Sequence, residues 1–330
     1  MMNSVSIVDS VTTLPEVDLR HPPGRPRGRL REVAHEVGFF YLIGHGVPTS
    51  LSDRVLAAAR RLFALPDSDK DAIAMVRSPH FRGYTRLGGE RTRGDVDWRE
   101  QIDIGPDRPA IGGPGKPDYY WLQGPNQWPH GLPELPQLVA EWDTALAAVS
   151  RTLLRHWAAA LGSPDDVFDA AFADAPATLI KIVHYPATAA SSQGVGAHRD
   201  SGVLTLLLAE PGSRGLQVQA RDGSWADVPA RDGAFVVNIG ELLEFATGGY
   251  LRATEHRVAL QQSADRISVP YFFNPRLDAQ IPALRLPAEL ARSAQRRADP
   301  SDPIHSVYGR NAWKSRLRAH PDVAAAHGYV

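Results

Sequence analysis

The apolar positions of this chain change period once, near residue 177. Before it, the clearest signal is Leu138, Trp142, Leu146, Val149, Leu153, Trp157 and Leu161, which step by four, four, three, four, four and four. They form one stripe on a helix. Gly162 and Pro164 end it. Such a stripe predicts a helix lying across the outside of a sheet. Upstream, Leu14–Leu19 reads as a short edge strand with its proline at the entrance. His21–Arg27 reads as a loop, Leu30–Val37 as a helix stopped by Gly38, and Phe39–Ile43 as a buried strand. Ser50 is placed to cap a helix carrying Leu51, Val55, Ala58, Leu62 and Phe63.

After residue 177 the pattern becomes short runs. Thr178–Tyr185, Val203–Leu208, Ala234–Asn238, Arg257–Leu260 and Arg266–Phe273 read as strands, and Gly215–Gln219 and Ser224–Val228 as a hairpin about Asp222-Gly223. Strands at this spacing predict a jelly roll or a related double-sheet barrel. A last helix runs from Val307 through Trp313 and Leu317. Between Pro79 and Gly124 neither period holds. A long stretch of this kind predicts a lid or binding loop.

Composition narrows the chemistry. The 330 residues are 43% hydrophobic and 22% charged, as in an ordinary globular chain, with a net charge of −1. No basic stripe points to nucleic acid, and no Lys/Arg cluster points to a membrane surface. With no cysteine, disulfides, thiolate ligands and thiol catalysis are excluded, so any metal must be held by His, Asp, Glu or backbone oxygen. The first residues, Met1–Ser6, lack the basic-then-apolar pattern of a secretion signal, and no apolar run approaches the ~18 residues of a membrane span. The expectation is a cytoplasmic protein.

The candidate chemistry lies between His198 and Ser268. His198 and Asp200, two apart on an extended segment, point to one side. His256 follows 58 residues further on (256 − 198), a gap that suits several intervening strands. Two histidines and one carboxylate leave positions of an octahedral ion open, as in non-haem Fe(II) oxygenases, whereas a structural site is usually closed by four ligands. His198-Arg199-Asp200 is also similar to a kinase catalytic loop. That loop needs Asn five residues after the Asp, where Thr205 stands, and no Gly-rich phosphate loop precedes it. Arg266 and Ser268 share a face of one strand and make a fork for a carboxylate. A zinc hydrolase on the same triad would need a general base, and Glu255 points to the opposite face from His256.

These residues sit within a broader likeness. Gly38-Phe39-Phe40-Tyr41 through His45-Gly46-Val47-Pro48, Phe63-Ala64-Leu65-Pro66, Arg82-Gly83-Tyr84 and Gly124–Pro129 resemble the bacterial type of the isopenicillin N synthase-like branch of the 2-oxoglutarate/Fe(II)-dependent dioxygenases. Gly44 stands where Asn is usual. The resemblance implies a mixed α/β chain with a β core, a distorted double-stranded β-helix (jelly roll) flanked by helices. It implies one domain over 1–330: a mostly helical part with lid loops (1–176), the jelly roll with the iron site (177–275) and a C-terminal helical part (276–330).

It further implies Fe(II) on His198, Asp200 and His256, with 2-oxoglutarate and O2 as co-substrates. Arg266 and Ser268 would hold the distal carboxylate, joined by Tyr185 and Lys181. Decarboxylation would yield succinate and CO2 while a small metabolite, such as an amino acid or natural-product intermediate, is hydroxylated, desaturated or cyclised. An oxidase that needs no keto acid and holds its own substrate's carboxylate on Arg266 and Ser268 is the alternative. Tyr84, Arg86, Trp98 and Phe272 are the candidates to face substrate. The partner is a small molecule, with no nucleic acid or membrane, and the protein is a monomer or weak homo-oligomer.

Overall fold

The structure is a computed structural model that describes residues 14–20, 24–188, 191, 193–261, 264–295 and 302–329. The expectation for Met1–Ser6, and the first residues of the loop at 21–27, lie outside the described residues.

The post-177 strands fold into two facing sheets. β7 (Leu179–Tyr185), β9 (Leu204–Ala209), β12 (Phe235–Ile239) and β14 (Arg266–Phe273) form the middle of a large sheet. The small sheet is β11 (Trp225–Asp227), β10 (Leu216–Gln219), β13 (His256–Ala259) and β8 (Gln193–His198), in that order. Successive strands therefore alternate between the sheets except at the β10–β11 hairpin, which is a jelly roll. The large sheet is extended on one side by β2 (Phe39–Ile43) and β1 (Glu16–Asp18), and on the other by β6 (Glu100–Ile104) and β3 (Gly83–Thr85).

One face of the large sheet packs on helices. α4 (Leu135–Ala160) lays Trp142, Leu146, Leu153 and Trp157, all 1% exposed or less, against it. Trp157 meets Phe40 edge to face, and its indole N–H donates to the Leu30 carbonyl of α1 (Gly24–Glu36) at 3.1 Å. Gly162 ends α4 with φ of 79°, left-handed backbone that favours glycine. α2 (Thr49–Phe63) completes this layer, with α3 (Asp67–Ala72) after it. The other face of the large sheet looks across at the small one, and the site lies between them.

The structure departs from the sequence reading in several places, among them β8, which the sequence reading does not include as a strand. α1 begins at Gly24, inside the expected loop, and α2 begins at Thr49 behind Pro48, so Ser50 is not its cap. The aperiodic stretch 79–124 contains two sheet strands, β3 and β6, and a small hairpin of β4 (Arg91–Thr92) and β5 (Asp95–Val96). β6 escapes a polarity reading because its polar positions are buried: Gln101 and Asp103 are 1% exposed or less. A short helix α5 (Glu241–Ala246) follows β12. The C-terminal part is α6 (Ala288–Ala291), α7 (Tyr308–Ala319) and α8 (Pro321–Ala326).

Candidate active site

β8 and β13 pair so that His198 stands opposite His256. The ring centroids are 4.2 Å apart, and each Nε2 lies 3.7 Å from Asp200 Oδ1. One ligand atom from each of the three residues falls within 4.8 Å of the others. Each ring is oriented through its far nitrogen: His198 Nδ1 lies 2.8 Å from the Gly196 carbonyl and His256 Nδ1 3.2 Å from the Thr254 carbonyl. That places the proton on Nδ1 and leaves Nε2 as a lone-pair donor, the usual arrangement of metal-binding histidines. Phe39 meets the His256 ring edge-on at 5.1 Å.

Asp200 is oriented by the large sheet. Thr205 on β9 and Asn238 on β12 are register partners, and both donate to Asp200 Oδ2, at 2.5 and 2.8 Å. Oδ1 is left for the metal. Burial alone would raise the Asp200 carboxyl, but His256, His198, Thr205 and Asn238 together hold it below the ordinary range. Burial and then the neighbouring His256 push the His198 imidazolium down, so the ring is neutral. Two imidazoles presenting Nε2 and an ionised carboxylate suit a divalent ion of the Fe(II) type.

On the inner face of β14, Arg266 Nη1 donates to Ser268 Oγ at 3.2 Å, and its guanidinium lies 4.8 Å from the ring centre of Tyr185, its register partner on β7. Arg266 is 5% exposed and Ser268 2%. Among the described residues no carboxylate lies within ion-pair distance of Arg266, and burial lowers its pKa. A buried cation without a counter-charge is costly unless an anion comes to it.

A cavity of about 970 Å³ joins these groups, lined by the triad and by Lys181, Tyr185, Arg266, Ser268 and Phe272. Lys181 faces it but is already bound, to Glu90 at 2.7 Å and near Asp103 at 3.6 Å. Three expected substrate residues do not line the cavity. Tyr84 pairs with Ile102, one residue off the inward row of Gln101 and Asp103, so it faces the helix layer and bonds Glu100. Arg86 is exposed and ion-paired with Asp71. Trp98 packs near Gly88.

The cavity wall also holds Glu90, Arg99, Asn238, Glu241 and Arg316, none of them a candidate in the sequence reading. Asn238 alone carried a signal, as the single polar residue in the apolar run Phe235–Ile239. Glu241, at the start of α5, donates its N–H to the Asp200 carbonyl at 2.8 Å, and burial raises its carboxyl to about 7.

Residues 177–275 match the 2OG-Fe(II) oxygenase superfamily, and residues 15–131 match the family described as non-haem dioxygenase in morphine synthesis N-terminal. The chain is 35% identical over 339 aligned positions to the 2-oxoglutarate-dependent dioxygenase frbJ of Dothideomycetidae sp. (strain 11243), covering 95% of this chain and 91% of that one. It is 33% identical to homoarginine-6-hydroxylase 2-ODD-C23 of Glycine max, over 86% and 88% of the two chains. Among solved structures, a full-length Neurospora crassa protein in complex with alpha-KG superposes with a TM-score of 0.74 at 22% identity, over 92% of this chain and 98% of that one. The rice dioxygenase for auxin oxidation gives 0.65 at 26%, over 92% and 95%. The chain belongs to the 2-oxoglutarate/Fe(II)-dependent dioxygenases, oxidoreductases built on this jelly roll.

Proposed function

We propose that His198, Asp200 and His256 hold Fe(II), that Arg266 and Ser268 hold the distal carboxylate of 2-oxoglutarate, and that the enzyme oxidises a small metabolite in the remaining cavity. One observation carries the second assignment: Arg266 is a buried guanidinium with no carboxylate partner among the described residues, facing the triad's cavity. Iron and 2-oxoglutarate, when bound, supply the oxidising chemistry, with succinate and CO2 as by-products. The chain's own residues do the rest. Thr205 and Asn238 keep Asp200 Oδ1 aimed inward. Gly196 and Thr254 fix the tautomers. Tyr185 stacks on the guanidinium and limits its orientations.

The three parts of the chain act as one domain in this reading, since Glu90, Arg266 and Arg316, one from each, line one cavity. Within the superfamily we place the chain in the isopenicillin N synthase-like branch, on the Gly38–Pro48 motif. Its relatives in the comparison are fungal and plant proteins, so the branch is assigned without a bacterial type. The substrate is an amino acid or natural-product intermediate, a reading supported by the homoarginine hydroxylases among the relatives. No helix among the described residues is long and apolar enough to cross a membrane; with near-neutral charge, this supports work on diffusible metabolites in the cytoplasm.

The test is succinate formation by anaerobically purified protein given Fe(II), 2-oxoglutarate and then oxygen, with and without metabolite pools. Iron-dependent succinate that His198→Ala abolishes is the expected result. Oxygen uptake without succinate would overturn it and reassign Arg266 to the substrate's own carboxylate.

A further inference from the structure

A chain of buried ion pairs runs from α7 to β8, the strand that carries His198. Arg316 of α7 donates to Asp103 at 2.5 Å; Lys181 lies 3.6 Å from Asp103 and donates to Glu90 at 2.7 Å. Arg99 donates to Glu90 at 2.7 Å and to Asp97 at 3.2 Å. Asp97 in turn accepts from the Gly196 N–H at 3.3 Å, two residues before His198. Every one of these charged residues is at most 9% exposed.

The layering of these charges is uneven. Arg99, Lys181 and Arg316 line the cavity, with Glu90 as their one acidic neighbour on that wall. Asp97 and Asp103, 0% and 1% exposed, sit behind and do not reach it. The cavity therefore meets three cationic side chains and one carboxylate on this wall, with the two remaining carboxylates of the chain behind them. Arg99 also makes its ion pairs through Nη2 alone, and its Nε is buried with no hydrogen-bond partner. Such a guanidinium is held in place but not saturated, since it has five N–H donors. This wall is contributed by β7, α7 and the segment between β5 and β6, and it adjoins the Arg266/Ser268 pair, since β7 pairs with β14 and Arg99 hydrogen-bonds Tyr185, the register partner of Arg266.

We propose that the Arg99–Lys181–Arg316 wall binds a carboxylate of the substrate, so that the oxidised metabolite is an organic acid. The assignment rests on the 2-oxoglutarate reading above, in which Arg266 is already committed to the co-substrate. Fixed cations facing a cavity lower the cost of bringing an anion out of water, and a fork of guanidinium donors orients it. A substrate held by its acid group at this wall extends its remaining atoms along the cavity toward the triad.

The test uses the anaerobic full-length protein with Fe(II) and 2-oxoglutarate. Probes are carboxylic acids paired with their primary amides, such as L-leucine with L-leucinamide and hexanoate with hexanamide. Perturbation of the iron–keto acid absorption band reports binding without turnover, and titration calorimetry gives the 2-oxoglutarate affinity. Expected are acids that perturb the band where their amides do not. Arg316→Gln should weaken those acids by roughly tenfold or more, the worth of one charge-assisted contact, with 2-oxoglutarate affinity within about twofold. Arg266→Gln should show the reverse pattern. If Arg316→Gln fails to fold with Asp103 left unpaired, the pair is removed together as Arg316→Gln/Asp103→Asn. Amides that bind as tightly as acids overturn the proposal, as does an Arg316 variant that weakens 2-oxoglutarate as much as the acid. Wild-type protein that binds no 2-oxoglutarate overturns the underlying reading instead; acid binding sensitive to Arg316 would survive that result.

Discussion

His198 and His256 are oriented by the same device: each turns Nδ1 to the carbonyl two residues upstream, Gly196 and Thr254, and presents Nε2 to the same oxygen of Asp200. The ligand geometry thus depends on backbone position on two paired strands, and the remaining freedom is in the carboxylate.

Asn238 controls that freedom. Asn238→Ala removes the 2.8 Å donor to Asp200 Oδ2 and leaves Thr205 to orient that oxygen. Loss of such an outer partner typically weakens metal binding by about 10–100-fold. Titration of metal-free protein with Mn(II) or Fe(II) is expected to show a weakening in that range, and wild-type affinity in Asn238→Ala would refute the orienting role.

Arg266 sets function against stability. Without an anion its buried charge has no ion-pair partner among the described residues, so Arg266→Met is expected to leave the keto-acid-free protein as stable or more stable in urea. The same change should abolish the rise in Tm that 2-oxoglutarate gives to the wild type. A variant that loses stability yet still gains from 2-oxoglutarate would contradict both statements.

Glu241 makes stability depend on pH. Burial, then the nearby Glu244 and Asp302, raise its carboxyl from 4.5 to about 7, against the pull of Arg199. The folded state therefore holds this proton more tightly than the unfolded chain. Its contribution is present below pH 4.5 and is lost as pH rises through 7, by at most about 3 kcal/mol for a shift of this size. Glu241→Gln should raise stability at about pH 8 relative to wild type and show little such gain near pH 4.5. Parallel unfolding curves for the two proteins across this range would refute it.

Arg86 and Trp157 test the partition between surface, core and site. Arg86→Ala breaks an exposed ion pair with Asp71 and should leave the urea midpoint close to that of the wild type, with succinate formation unchanged. Trp157→Ala removes a fully buried indole and its bond to Leu30, at a cost of roughly 3–5 kcal/mol. Urea denaturation separates the two outcomes.

The parts of the molecule legible in the sequence are those where polarity follows exposure. The α4 stripe, the Asp222-Gly223 hairpin and the strands from Thr178 to Phe273 keep apolar residues inward, and β14 carries Arg266, Ser268 and Phe272 on one face as the even offsets require. The pattern fails where charge is buried. Glu90, Asp97, Arg99, Gln101 and Asp103 occupy a loop-like stretch by composition, yet all are 9% exposed or less. Their partners Lys181 and Arg316 lie far along the chain, and no local pattern reveals an ion pair across such a distance. Tyr84 shows the cost of a single step in register: one position from the inward row, it faces the helices instead of the cavity.

The triad also has a mechanical consequence. His198 and His256 ride on the small sheet, while Asp200 is tied by Thr205 and Asn238 to the large one. A bound ion would rivet the two layers at one end of the sandwich. Any breathing that parts the layers there would pull the ligands apart, so metal loss and local opening become one event, and slow amide exchange along β8 and β13 becomes a gauge of metal occupancy.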